Sequence, residues 1–278
     1  MKRPLLAVLL IVGGFAPAAA EPPDAAALER LRGAHVIRLT VEQTYLYKIR
    51  NTSGKRMMTG FRLPYARVAR DLLEGAGMRV IEPQQGEFGA HDATLEIAAH
   101  GRAIARFYDE HAMGYLYTGA EIIGNIAFSA PGAAPWHTPF SALVGPLLKV
   151  RINLGYDLPQ GAPFNEAFSG PTSFTARIVE VIGLVYGAPP LIAALDNGGG
   201  EVRLHAAKVL GTIGGDEAIA TLLTTITDRD PRLRKEAAWS LGRLREKKAV
   251  DALTIALHDG DADVRWFAAW ALEEISGL

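Results

Sequence analysis

Histidines are the first residues to consider for chemistry, because imidazole is a common metal ligand in proteins. One helix or strand holds a metal between two histidines when they are two or four residues apart. None of the seven histidines has such a neighbour: they are His35, His91, His100, His111, His137, His205 and His258. The sequence therefore predicts no two-histidine metal site on a single element.

Two acidic clusters contain other metal-ligand types. Asp109-Glu110-His111 lies in a predicted turn, where polar residues collect for conformational reasons, so a metal site there is the less favoured interpretation. Asp259-x-Asp261-x-Asp263 imitates the start of a calcium loop, but Val264 and Trp270 stand where that loop needs glycine and glutamate. We expect these aspartates to cap helices instead.

Motifs of the common enzyme classes do not occur in the chain. It has no G-x-S-x-G, no phosphate-binding Walker loop, no dinucleotide fingerprint and no cysteine. The chain is therefore predicted to be non-enzymatic and to use no cofactor. A metal-dependent hydrolase in the N-terminal region is the enzymatic alternative.

A basic segment is the first of two candidate binding surfaces. Residues 43–70 contain no acid and seven basic residues, with aromatic residues between them: Lys48, Arg50, Lys55, Arg56, Arg62, Arg67 and Arg70. The first four are candidates for binding an anionic lipid or glycan. The favoured alternative is a solvated face, or pairing with acids elsewhere in the fold, since exposed charges gain little from specific pairing.

The second candidate surface is a column of three side chains, Lys208, Trp239 and Trp270, each 31 residues from the next. Equivalent residues of stacked helices line up, so the three are expected to form a row. Tryptophan often anchors protein interfaces, but it also fills seams between helices. An exposed row that binds a protein and a buried seam are both open at this point.

The elements that would position this column repeat at the same interval. Apolar, arginine and paired alanine positions recur every 31 residues, as in Leu191/Leu222/Leu253, Val202/Leu233/Val264, Arg203/Arg234/Arg265, Ala206-Ala207/Ala237-Ala238/Ala268-Ala269 and Leu210/Leu241/Leu272. Each unit contains a short helical run, a break rich in Asp and Gly, and a longer amphipathic run. Asp230 before Pro231 predicts a capped helix start. Such a period predicts a solenoid, in which each unit buries its apolar face against the next.

These units resemble the HEAT-like repeats first named for phycobilisome lyases, whose pattern is roughly D-x-D-x-x-V-R-x-x-A-A-x-x-L-G. The resemblance implies an all-α solenoid over residues 188–278 that binds another protein or serves as a scaffold. Some HEAT-repeat enzymes, such as deoxyhypusine hydroxylase, hold metal with His-Glu pairs on facing helices. Here Ala206 follows His205 and Asp259 follows His258, so that activity is not expected.

The first 20 residues are typical of a secretory signal peptide. Lys2 and Arg3 precede an apolar stretch, and Ala18-Ala19-Ala20 offers a cleavage site before Glu21. We therefore expect a periplasmic or secreted protein. The mature chain would contain 27 basic and 30 acidic residues, so its charge predicts no nucleic-acid partner.

Residues 21–187 are predicted to form an α+β domain. Strands are expected at 35–41, 78–81, 115–129 and 136–144, with a weaker one at 147–154, and helices at 63–75 and 174–186. A hairpin is expected between 94–98 and 103–108, turning at His100-Gly101. This order of elements indicates helices packed on one face of a sheet.

The stretch from Asp92-Ala-Thr-Leu-Glu-Ile through Tyr117-Thr-Gly-Ala-Glu to Trp136 resembles small envelope domains of the TolB N-terminal or curli-assembly type. That resemblance implies a place in an envelope complex rather than catalysis. The predicted function is therefore an exported protein-interaction or envelope assembly module. The alternatives are lipid or glycan binding through residues 48–70 and a metal-dependent hydrolase.

Overall fold

The computed structural model describes residues 23–48, 55–58, 63–109, 114–144 and 173–277. In this part of the chain a sheet with its helices precedes a run of helices over residues 174–276, which confirms the predicted α+β region followed by a helical solenoid. The signal peptide, the strand at 147–154, Arg50, Arg62, and Glu110 with His111 lie outside the described residues. None of the described helices is both long and apolar enough to cross a membrane.

The described strands form one mixed sheet of six strands in the order β2-β1-β4-β5-β6, and β3 also pairs with β1. β1 runs parallel to β3 and β4, and the other pairs are antiparallel. The strands are β1 (Val36–Lys48), β2 (Lys55–Met58), β3 (Arg79–Ile81), β4 (Ala93–Asp109), β5 (Gly114–Ser129) and β6 (Trp136–Val144).

The predicted hairpin about His100-Gly101 is wrong. β4 runs through both residues without turning, because it is paired on both edges: Gly101 lies opposite Tyr45 of β1 and Ile122 of β5. Glycine is a turn signal only where its neighbours do not hold the backbone in a ladder. A register shift does occur opposite Gly119, where Ile104 pairs with Gly119 and Ala105 pairs with Tyr117.

Helices cover one face of the sheet, as the order of elements predicted. Alternate residues of β1, such as Ile37 and Leu39, are fully buried beneath them, whereas Arg38 and Glu42 on the other face are exposed. The ring of Phe174 lies 5.1 Å from that of Tyr65 and 5.0 Å from that of Phe140. The helices of this region are α1 (Ala25–Arg32), which the sequence did not predict, α2 (Tyr65–Gly75) and α3 (Phe174–Tyr186).

Three repeats follow, each made of a short first helix and a longer second one. Their helices are α4 (Ala188–Asn197), α5 (Gly200–Ile213), α6 (Asp216–Thr225), α7 (Pro231–Arg243), α8 (Val250–Ala256) and α9 (Ala262–Ser276). α3 packs on the sheet through Phe174 and on α5 through Gly183, where a Cβ atom would lie 2.8 Å from Val209 Cγ1. One continuous apolar core therefore runs from the sheet into the repeats. The division into domains at residues 187 and 188 stays a prediction.

Candidate protein-interaction surface

The repeat arginines join each repeat to the next. Arg203 bonds Asp228 at 2.6 Å, and Arg234 binds Asp259 with two nitrogens, each at 2.7 Å. Each guanidinium also donates to backbone carbonyls, Arg203 to Leu195 and Arg234 to Asp228. Because the hydrogen bonds from Arg234 stabilise the charged form of Asp259, the pKa of the Asp259 carboxyl lies below its usual value. The repeated arginine therefore joins neighbouring repeats through an ion pair and has a structural role.

The acidic run at 259–263 is structural as well. Asp261 Oδ1 accepts the backbone N–H groups of Asp263 and Val264 and so caps α9. Asp230 caps α7 in the same way, by accepting the N–H of Arg232. The capping interpretation is confirmed. The described residues contain no cluster of three His, Asp or Glu side chains able to hold a metal ion.

Small residues bring the second helices of successive repeats together. Ala207 and Ala238 are fully buried. A Cβ atom on Gly242 would lie 2.7 Å from Ala271 Cβ, and one on Gly211 would overlap Ser240. Both glycines lie inside helices, so they serve close approach rather than helix exit. The seams between α5, α7 and α9 therefore leave no room for larger side chains at these positions.

The predicted row of Lys208, Trp239 and Trp270 is graded in exposure. Lys208 is exposed, and both indoles are half-buried. Trp270 lies against α7, since a Cβ atom on Gly242 would meet its Cζ3 at 2.9 Å. Trp239 is partly covered by Arg243, whose Cζ lies 4.7 Å from the indole centroid. Trp270 thus contributes to a seam, whereas Trp239 and Lys208 remain candidates for binding.

Glu236 is a candidate that the sequence reasoning missed. It lies 31 residues after the buried His205, on the column directly before the alanine pairs. Burial raises the pKa of its carboxyl, and the charges of Lys208, Lys235 and Arg243 oppose that rise. Its buried Oε1 has no hydrogen-bond partner among the described residues. The register in the sequence shows the column, but not the burial that makes this acid unusual.

Four side chains therefore form a polar and aromatic surface on α5 and α7, hereafter the α5–α7 patch: Lys208, Glu236, Trp239 and Arg243. It combines two cations, an indole face and a partly buried carboxylate. An indole is a large, rigid contact that anchors protein interfaces well. The patch is therefore able to bind a protein segment by stacking and by charged hydrogen bonds.

The basic segment has less support as an anion site. The backbone pairs Lys48 with Lys55 and Tyr47 with Arg56 in the antiparallel β1–β2 ladder. Arg67 and Arg70 do bond acids of the fold: Arg67 lies 3.5 Å from Asp71, and Arg70 lies 2.6 Å from the buried Glu82. The contacts of these two arginines agree with the alternative interpretation, in which the basic residues pair with acids of the fold.

Comparison with known proteins supports the repeats. A family model described as HEAT repeats matches residues 188–273. Among solved structures, human deoxyhypusine hydroxylase in complex with glycerol matches with 22% identity and a TM-score of 0.34. That match covers 44% of this chain and 41% of the human one, less than half of either. No curated protein matches the sequence.

Residues 188–273 thus carry HEAT repeats, which generally mediate protein–protein interaction. The narrower resemblance to the phycobilisome-lyase type, and that of the N-terminal region to TolB-type domains, stay predictions.

Proposed function

We propose that this protein is an exported, non-enzymatic interaction module whose repeats bind another protein of the cell envelope through the α5–α7 patch. The observation that carries the proposal is the half-buried indole of Trp239, which lies under the guanidinium of Arg243 on the same helix as Glu236. The alanine and glycine seams and the Arg–Asp bonds hold the repeats rigid, so the patch is preorganised.

The chemistry of the patch defines the segment that it would bind. A lysine or arginine of the partner lies beside the partly buried carboxylate of Glu236. An aromatic or proline side chain replaces Arg243 on the indole of Trp239. An acidic group then pairs with Lys208 or with the displaced Arg243. The partner segment is accordingly mixed in charge and contains at least one flat apolar side chain.

Export rests on the sequence of residues 1–20 and leads to a separate test. The protein expressed from its full coding sequence is expected to begin at Glu21 and to fractionate with the periplasm or the medium. Sequencing of the purified N-terminus and cell fractionation measure both. An uncleaved N-terminus in the cytoplasmic fraction contradicts export without affecting the proposed binding surface.

In-cell crosslinking tests the binding surface. A photoreactive amino acid replaces Lys208 in one variant. In a matched control it replaces Glu217, an exposed residue of α6, the first helix of the second repeat. Illumination of intact cells is expected to give a discrete adduct from position 208 that is absent from position 217. Equal adducts from both positions, or none from position 208, contradict binding through the α5–α7 patch.

The hydrolase alternative makes a different prediction. A metal-dependent enzyme purifies with a stoichiometric metal ion, whereas the proposed interaction module does not. Elemental analysis of the purified protein, before and after dialysis against a chelator, distinguishes the two. One metal ion per chain that resists dialysis would contradict the non-enzymatic proposal.

A further inference from the structure

The outward face of α9 is equivalent to the face by which α5 and α7 each pack against the next repeat. On α5 and α7 that face contains Ala207 and Ala238, which are fully buried, and one turn later Gly211 and Gly242, which contact the following helix. The equivalent alanine of α9, Ala269, is exposed. Beside it Trp266 is 61% exposed. In the described part of the chain, α9 therefore presents a stacking face with nothing stacked on it.

A further repeat in the same stacking geometry does not fit this face. The close approach of α7 and α9 depends on the missing side chain of Gly242, where even a Cβ atom would lie 2.7 Å from Ala271. The equivalent residue of α9 is Glu273, which is exposed. A carboxylate side chain at this position holds a following helix away from the seam. The occupant of the face must therefore approach in another way.

Charge on the face is arranged symmetrically about Ala269. Arg265 precedes it by four residues and Glu273 follows it by four, so the two lie about 6 Å from it in opposite directions along the helix. Trp266 and Leu272 are three residues from it on either side. Two such helices packed antiparallel, with Ala269 at the crossing point, place Arg265 of each copy beside Glu273 of the other.

The bonding of Arg265 also leaves it able to take a carboxylate. Its repeat equivalents Arg203 and Arg234 bond both backbone carbonyls and an aspartate of the next repeat. Arg265 makes the carbonyl bonds, to Asp259 at 2.8 Å and Gly260 at 3.1 Å, but bonds no side-chain carboxylate among the described residues. A charge-assisted bond to an incoming glutamate would restore the pattern of the inner repeats.

We propose that a second copy of this chain binds the outward face of α9, hereafter the α9 face, through an antiparallel two-fold contact. The α9 face consists of Arg265, Trp266, Ala269, Leu272 and Glu273. Ala269 lets the two helices approach, and Trp266 of each copy packs on Leu272 of the other. In a two-fold interface every contact occurs twice, so the two Arg265–Glu273 pairs act together. This interface is separate from the α5–α7 patch.

Charge reversal tests the pairing, with the oligomeric state of the whole protein measured by sedimentation equilibrium. Arg265→Glu and Glu273→Arg are each expected to raise the dimer dissociation constant about tenfold or more, because each places like charges together twice. The double variant Arg265→Glu/Glu273→Arg is expected to restore dimerisation. Ala269→Arg blocks the crossing point and is expected to give a monomer. Glu217→Arg, at an exposed site elsewhere, is the control and leaves the dimer unchanged.

Three results would overturn the α9 dimer. The first would be that the unmodified protein remains monomeric up to about 0.1 mM, where even a weak specific dimer would form. The second would be that the protein dimerises but Ala269→Arg leaves the dimer intact, which locates the contact elsewhere. The third would be that the single reversals weaken the dimer but the double variant does not restore it, which would mean that the two charges do not face each other. Circular dichroism melts of each variant verify that loss of the dimer does not reflect unfolding.

Discussion

Helices α7 and α9 occupy the same place in successive repeats but have different surroundings. α7 is packed between α5 and α9, whereas the described residues contain no helix beyond α9. Accordingly Ala238 of α7 is fully buried and its equivalent Ala269 is exposed. Arg234 binds a carboxylate of the next repeat, whereas among the described residues its equivalent Arg265 bonds only carbonyls. The same repeat position therefore serves core packing in one helix and offers a surface for binding in the other.

The difference shows how a repeat pattern acquires function. Part of the stability of a solenoid comes from contacts between neighbouring units, and a residue on the stacking face contributes to that part only where a neighbour covers it. At an uncovered position the same residue type is free to serve recognition. Equivalent substitutions on α7 and α9 should therefore give different results, and this contrast can be measured position by position.

Leucine truncation should show the largest contrast. Leu241 of α7 is fully buried, so Leu241→Ala is expected to lower the free energy of unfolding by about 2–5 kcal/mol through lost burial and a cavity. Leu272→Ala, at the half-buried equivalent on α9, should cost about 1 kcal/mol. Urea denaturation at protein concentrations too low for the α9 face to dimerise measures both. Equal losses would mean that α7 and α9 are covered alike.

Overpacking of the alanine seam should give the next largest effect. Ala238→Leu is expected to destabilise the protein by about 1–3 kcal/mol, because the α7–α9 seam has no space for the added atoms. At protein concentrations too low for the α9 face to dimerise, Ala269→Leu should change the free energy of unfolding by less than about 0.5 kcal/mol, as exposed substitutions usually do. An unchanged melting temperature for Ala238→Leu would refute burial of the alanine column.

Loss of the Arg234–Asp259 pair should cost less. Asp259→Asn is expected to lower the free energy of unfolding by about 1–2 kcal/mol at neutral pH, since the bidentate pair is mostly buried. Asp263→Asn, at the exposed carboxylate 3.4 Å from Lys235, is the matched control and should cost almost nothing.

The pH dependence of the Asp259 variant follows from the lowered pKa of Asp259. Its contribution is present above the ordinary carboxyl pKa and is lost as the pH falls through the lower, folded-state pKa. The difference between the unmodified protein and Asp259→Asn should therefore stay constant near neutral pH and shrink in acid. A difference that grows in acid would mean that the pair does not hold the carboxylate in its charged form.

Glu236 should give the smallest effect, with the opposite sign. Burial raises the pKa of its carboxyl, so the charged form costs stability above the folded-state pKa and the cost disappears in acid. Glu236→Gln is expected to raise the melting temperature at neutral pH by no more than about 3 °C and to leave it unchanged in acid. A lower melting temperature at neutral pH would show that Glu236 is instead held by a stabilising ion pair.

The same contrast explains how far the sequence predicts the structure. The repeat helices follow from local information, because each 31-residue unit contains its own apolar stripe and break, and the second and third units also contain a capping aspartate, as at Asp230-Pro231. The turn at His100-Gly101 was predicted wrongly because only β1 and β5, distant in the chain, hold that segment extended. The burial of Glu236 and the exposure of Ala269 also depend on which helices are neighbours. Residue types thus predict the elements, while the candidate surfaces depend on contacts between them.

The central claim is that Trp239 belongs to a binding surface rather than to the core, and one paired measurement tests it directly. Trp239→Ala is introduced into the variant with a photoreactive amino acid at position 208, and the adduct yield in cells is measured together with the melting temperature of the purified protein. Binding through the α5–α7 patch predicts a loss of adduct of about tenfold or more, as for an interface anchor, with little change in melting temperature. Undiminished adduct, or a fall in melting temperature comparable to that of Leu241→Ala, would contradict it.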